Sequence, residues 1–82
     1  MKLIKFSASW CNPCKVLSST MSTIQHPLIH DMYESDIEND NKLAIKYQVR
    51  SIPTLLLVED NGMELRRLNG NATKQKVVEF LA

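Results

Sequence analysis

Apolar residues fall along this chain in short blocks, and their spacing changes from block to block. Lys2-Leu-Ile-Lys-Phe6 crowds aliphatic and aromatic residues into a run without a breaker, which predicts a strand. From Cys14 the apolar positions step through Leu17, Met21 and Ile24, one stripe down a helix. Pro27 stops that helix or closely follows its end, and a second extended segment is expected from Ile29 to Ser35. Residues 36–41 are polar and rich in capping side chains, after which Leu43, Ala44 and Tyr47 form the apolar face of a brief second helix. Ser51-Ile-Pro-Thr54 breaks it and launches Leu55-Leu-Leu-Val58, an unbroken apolar run suited to a central strand buried on both faces. Asp60-Asn61-Gly62 predicts a tight two-residue hairpin connection, because Asn-Gly tolerates positive φ, with Leu65 to Leu68 returning antiparallel. Gly70 ends that strand, and Thr73 caps a last helix whose Val77, Val78 and Leu81 face the sheet. The order is βαβαββα, a single α/β domain over residues 1–82 with no repeat or linker.

Composition narrows the function classes. Eighty-two residues leave room for one domain with a modest core. An apolar fraction of 44% and a charged fraction of 23% are ordinary for a globular chain. The net charge of +1, without a basic run, gives no support to a nucleic-acid or membrane-surface partner. Leu55–Val58 is the longest apolar stretch and is far too short to span a bilayer. No apolar leader with a small-residue cleavage site precedes the first strand, so a cytoplasmic chain is expected, in a host cytoplasm if a virus encodes it. In a reducing cytoplasm two cysteines are seldom a structural staple, which leaves catalysis or metal binding.

Those cysteines stand in Cys11-Asn12-Pro13-Cys14, at the junction between the first strand and the first helix. Cys14 belongs to the buried stripe. Cys11 lies one turn earlier, ahead of Pro13, a residue favoured in a first helical turn because the N–H it lacks would be unpaired there anyway. Cys11 is therefore expected to be accessible and Cys14 sheltered. The thiolate is the nucleophile in disulfide exchange, and a helix N-terminus stabilises negative charge on it. A Cys-x-x-Cys ending the first strand of a βαβ unit points to a thiol-disulfide oxidoreductase. In such a cycle Cys11 attacks a partner disulfide, and Cys14 then attacks the Cys11 sulfur and releases the reduced partner. The redox-active pair itself serves as the working group, with no separate cofactor expected.

Trp10-Cys-Asn-Pro-Cys-Lys15, Ile52-Pro53-Thr54 opening an apolar strand, the Asn61-Gly62 hairpin and Gly70 before the last helix together resemble the thioredoxin family. The similarity runs across nearly the whole chain, without the family's usual first strand and helix. It implies a four-stranded mixed sheet in order 2-1-3-4 flanked by helices, with segment 29–35 as an edge guarded by His30, Asp31 and Glu34. It implies a cis bond before Pro53, which lies against the cysteines, and a shallow apolar groove framed by Trp10, Pro53 and Gly70. The backbone of Ile52 would pair there with an extended substrate segment. Disulfide-bearing proteins are the implied substrates, ribonucleotide reductase among them by analogy, with thioredoxin reductase or a glutathione system as the electron source and a monomer as the working form.

The sequence departs from the family pattern at one position that bears on the chemistry. Lys5 holds the place of a buried aspartate that serves as proton relay for the sheltered cysteine, and Glu34 holds the place of an opposing lysine. Either the two meet beneath the disulfide with their charges exchanged, where a buried lysine can take the Cys14 proton, or Lys5 snorkels to solvent and pairs with nothing. Asn12 replaces the usual glycine of the motif.

Two other readings compete. Cys11, Cys14, His26 and His30 lie one residue from a zinc-finger spacing, but Pro27 would break the helix that must carry both histidines, and Ser18 stands where an aromatic core residue is required. Glutaredoxin shares the fold and the size, but its motif carries Pro-Tyr between the cysteines and lacks the preceding tryptophan. Asn71-Ala72-Thr73 matches a glycosylation acceptor, and Thr73 is better read as a helix cap.

Overall fold

The computed structural model describes all 82 residues. Strand β1 (Lys2–Ser7) is followed by helix α1 (Asn12–Met21), a one-turn helix α2 (Pro27–His30) and strand β2 (Tyr33–Asp36). Helix α3 (Lys42–Lys46), strands β3 (Thr54–Val58) and β4 (Glu64–Asn69), and helix α4 (Lys74–Leu81) complete the chain. The sheet order is β2-β1-β3-β4, with β1 parallel to β2 and antiparallel to β3, and β4 antiparallel to β3. This is the four-stranded mixed sheet in the expected order. No helix is long and apolar enough to cross a membrane.

The central strands carry side chains to two different cores, as the two-residue period of a strand requires. Leu3, Leu55 and Leu57 meet Leu17, Met21 and Ile24 and, from α4, Val77, Phe80 and Leu81. Ile4, Phe6, Leu56 and Val58 point the other way, against the half-buried Leu43, Ala44 and Tyr47 around α3. The stripe from Cys14 to Ile24 is buried as its spacing predicts.

Three local expectations are corrected. The segment 29–35 is not one strand. His26 accepts the Leu28 N–H through Nδ1 at 3.1 Å, and Pro27 sits in the first turn of α2, so the chain completes a helical turn before β2 begins. His30 and Asp31 therefore lie in and just after α2, and only Glu34 of that trio is on the edge strand. The hairpin is longer than two residues. Glu59 N–H donates to Met63 O and Gly62 N–H to Glu59 O, each at 2.8 Å, and Gly62 at φ +91° is the turn residue that takes the left-handed conformation. The register then slips, Leu57 opposing Arg66 but Val58 opposing Glu64, a bulge that twists the start of β4. Helix α3 draws its N-terminal cap from Asp40, within the capping run 36–41 as expected: its Oδ1 accepts the Lys42 N–H at 3.1 Å, while Asn41 makes no side-chain cap bond. In α4, Val78 is exposed and Phe80 is buried in its stead, because Phe80 and Leu81 lie one turn beyond Val77. The predicted Thr73 cap is present, its Oγ1 accepting the Lys76 N–H at 3.2 Å.

Candidate active site

The carboxyl end of β1 delivers the chain into a turn in which Cys11 N–H donates to Ala8 O at 3.1 Å. Cys11 then becomes the N-cap of α1, with extended φ −89° and ψ 102°, and its Sγ accepts the Cys14 N–H at 3.2 Å. Sulfur thus occupies the position where serine or aspartate oxygen commonly satisfies a free helix N–H. Pro13 fits the first turn without losing a hydrogen bond. The two cysteines are joined by a disulfide, their Cα atoms 5.3 Å apart.

The expected contrast in access between the two sulfurs is small in this oxidised form: Cys11 is 4% exposed and Cys14 2%. Ala8 packs against both, and Ile37 and Ile52 close over them from the α3 side. Exposure is concentrated instead on their neighbours. Trp10 is 64% exposed, and Asn12 and Pro13 are also open to solvent, so apolar and polar side chains ring the N-cap.

The loop before β3 brings the other expected residues near. The Ile52-Pro53 bond is cis. Pro53 is fully buried rather than lining an open groove with its ring, while Ile52 and Gly70 are half-buried. Gly70, at φ +79°, donates its N–H to Pro53 O at 2.8 Å, which ties the end of β4 to the cis-proline loop. Thr54 fixes the loop from the other side, its Oγ1 bonding Ser51 O at 2.8 Å and Asn69 Oδ1 at 3.3 Å.

Beneath the disulfide, Lys5 and Glu34 meet as the charge exchange predicts. They are direct partners in the β1–β2 register, and Lys5 Nζ lies 3.5 Å from Glu34 Oε2. Lys5 is 1% exposed whereas the Glu34 side chain is 52% exposed, so the pair reaches from the interior to solvent. Two serines complete it. Lys5 Nζ also donates to Ser18 Oγ, and Ser7 Oγ donates to the same Glu34 oxygen at 3.0 Å. Sequence reading missed Ser18 in this role, although it lies one helical turn beyond Cys14 and hence on its side of α1. Lys5, Ser7, Ser18 and Glu34 line a cleft of about 350 Å³, and Cys14 forms part of the same wall.

The zinc spacing is not assembled. His26 caps α2, His30 Nε2 lies 3.2 Å from Gln25 Oε1, and no three metal-ligating side chains come together.

Comparison with known proteins agrees with this geometry. The thioredoxin family model matches residues 1–82. A thioredoxin of Chlamydia trachomatis is 36% identical over 81 residues, covering 98% of this chain and 78% of the relative. A thioredoxin of Staphylococcus epidermidis is 31% identical over 83 residues, covering 99% and 79%. Among solved structures, the germline-specific thioredoxin Deadhead of Drosophila melanogaster superposes with a TM-score of 0.78 at 30% identity, over 98% of this chain and 78% of that one. The Malassezia sympodialis thioredoxin superposes with a TM-score of 0.82 over 96% and 70%, and at 24% identity it supports the fold alone. A cysteine pair at a helix N-terminus beside a cis-proline loop, on this sheet and with these relatives, places the chain in the thioredoxin family of thiol-disulfide oxidoreductases.

Proposed function

We propose that the protein reduces disulfides in other proteins through a Cys11/Cys14 dithiol cycle, with Cys11 as nucleophile and Cys14 as resolving thiol. The observation that carries this assignment is the position of Cys11 Sγ at the N-cap of α1, accepting the Cys14 N–H at 3.2 Å. In the reduced protein that N–H and the helix dipole favour negative charge on Cys11, an effect worth about 1 kcal/mol or more in a partly buried site. Cys14, further into the helix and beneath Ala8, lacks that placement.

The cycle balances in atoms and electrons. Cys11 thiolate forms a bond to one sulfur of a substrate disulfide, and the electron pair of the broken S–S bond leaves with the other substrate sulfur as a thiolate. Cys14 gives up its proton and its sulfur attacks Cys11 Sγ. The mixed disulfide breaks, and the second substrate thiolate departs. The substrate gains two electrons and the protein is left in the disulfide form described above. Trp10, Asn12, Pro13, Ile52 and Gly70 offer the surface on which a substrate segment rests, with Pro53 packed behind them and Ile52 backbone available for strand-like pairing. Disulfide-bearing proteins are the substrates, ribonucleotide reductase a client of the right chemistry, and thioredoxin reductase or glutathione the source of electrons. The setting is a reducing cytoplasm, where a monomer suffices.

Insulin reduction by the dithiol-regenerated protein tests the reading. Wild type turns over, Cys11→Ser loses activity entirely, and Cys14→Ser accumulates the mixed disulfide. A wild type that fails to reduce insulin with either electron source removes the assignment. Preference for thioredoxin reductase over glutathione separates a thioredoxin-type cycle from a glutaredoxin-type one.

A further inference from the structure

Lys5 is the sole charged side chain taken fully out of water, and it is not consumed by the cycle above. Its compensation is incomplete. One partner, Ser18, is a neutral hydroxyl, and the other is a single Glu34 oxygen 3.5 Å away on a half-exposed side chain that Ser7 also engages. A buried charge needs close, well-oriented partners, and without them it leaves a positive field in its surroundings. Those surroundings include Cys14, which shares the cleft wall with Lys5.

We propose that Lys5 is the counter-charge for the Cys14 thiolate, a positioning residue that sets when the resolving sulfur ionises. The proposal rests on Cys14 being the resolving thiol. When Cys14 loses its proton to the water of the open cleft, the sulfur gains a negative charge in a site already holding an unbalanced ammonium. The same Coulomb attraction that would be trivial in water is strengthened by burial. In this role the Lys5 ammonium, held by Ser18 Oγ and Glu34 Oε2, keeps its own proton and faces the thiolate as a fixed charge. It is an alternative to the relay role expected from the sequence.

The remaining charged groups on the cleft act weakly on Cys14. Lys15, on α1, is exposed and screened by solvent. Asp36, on β2, spends its carboxylate in the following turn, Oδ1 accepting the Glu38 N–H at 3.0 Å and Oδ2 the Asn39 Nδ2 at 2.9 Å. Glu34 is the opposing influence, since its negative charge offsets part of the Lys5 field. The sign of each substitution follows. Removing Lys5 makes the Cys14 thiolate harder to form, and neutralising Glu34 makes it easier.

Cys11→Ser leaves Cys14 as the only thiol, and its thiolate absorbance is then followed against pH in the full chain. Lys5→Met, similar in volume and apolar, shifts the midpoint upward by about one pH unit, a tenfold change in the ionisation constant. Lys5→Arg restores the parent midpoint, and Glu34→Gln shifts it downward. An unchanged midpoint in Lys5→Met overturns the proposal, and so do shifts of the same sign in Lys5→Met and Glu34→Gln, the pattern of general disruption. Should Lys5→Met fail to fold, Lys5→Gln, which removes the charge but keeps a hydrogen-bond donor for Ser18, takes its place: an upward shift supports the counter-charge and an unchanged midpoint overturns it. The midpoint is read without turnover, so a wild type inactive on insulin removes the reductase assignment while the titration still judges the counter-charge.

Discussion

The two faces of the sheet are built to different depths. On one, nine buried residues from β1, β3, α1 and α4 and from Ile24 beyond α1 pack into a continuous core. On the other, four buried strand residues meet only half-buried partners. The helices differ accordingly: α1 has ten residues and a sulfur cap at its start, whereas α3 has five, none of them buried. The sulfurs sit where these faces meet. Cys14 is anchored on α1, on the deep side, while Ile37 and Ile52, which cover the disulfide, belong to the shallow side. The two sulfurs are thus carried on the deeply packed layer, and the side chains that cover them rest on the shallow one. Local opening draws on such thinly packed regions, because fewer buried contacts are lost there.

The largest test of this contrast is a pair of truncations. Leu17→Ala removes a wholly buried side chain from the deep core and is expected to cost about 3 kcal/mol, with the loss enlarged by the cavity it leaves. Leu43→Ala acts on a half-buried side chain of α3 and is expected to cost about 1 kcal/mol. Urea unfolding measures both. Equal losses would mean that the shallow face is as tightly packed as the deep one, and the comparison would fail.

A smaller effect sharpens it from the backbone. Helix α3 ends through Gln48 at φ +53°, with Val49 N–H donating to Ala44 O at 2.8 Å, the pattern of a left-handed helix terminus. A side chain there costs about 1 kcal/mol relative to glycine. Gln48→Gly should therefore stabilise the protein by somewhat less than about 1 kcal/mol, after the entropy gained by the unfolded chain is offset. The gain reads as a higher urea midpoint, and a destabilised variant would show that the Gln48 side chain contributes contacts that outweigh its strain.

Much of this architecture is legible in the chain, and the unread parts share a cause. Strands β1 and β3 and the α1 stripe stand out because apolar positions with a single clear period admit one placement. The cysteine motif is legible for the same reason that it works: proline and a capping sulfur at a helix start are local chemistry. Helix α2 is hidden because His26 is an uncommon cap, and Pro27 reads equally as a stop or a start. The hairpin length is hidden because Asn61-Gly62 serves both two- and three-residue loops, and the choice depends on the Leu57/Val58 register slip, a property of two strands together. Lys5 and Glu34 could be paired from sequence only through the family pattern. Their serine partners and the burial of Cys11 depend on which side chains converge in space, which no single segment encodes.

The finest distinction between the faces concerns what braces the shallow one. Arg67 on β4 reaches across to Tyr47 O at the end of α3, 2.6 Å away, while its Nε and a terminal nitrogen each lie 2.7 Å from a Glu64 carboxylate oxygen. The guanidinium hydrogen bonds hold the Glu64 carboxyl below its usual 4.5, and the carboxylate in turn raises Arg67. A carboxyl with a lowered folded value stabilises the fold fully above its unfolded value and loses that contribution as pH falls through the folded one. Glu64→Gln should therefore be less stable than wild type at neutral pH by a small margin, as befits a solvent-accessible pair. That margin should close on acidification below the ordinary 4.5, once Glu64 is protonated in both states. Urea midpoints of the two proteins across the acid range measure it. A margin that persisted in acid would show that the substituted amide disturbs packing, and that Arg67 braces α3 through Tyr47 without help from the carboxylate.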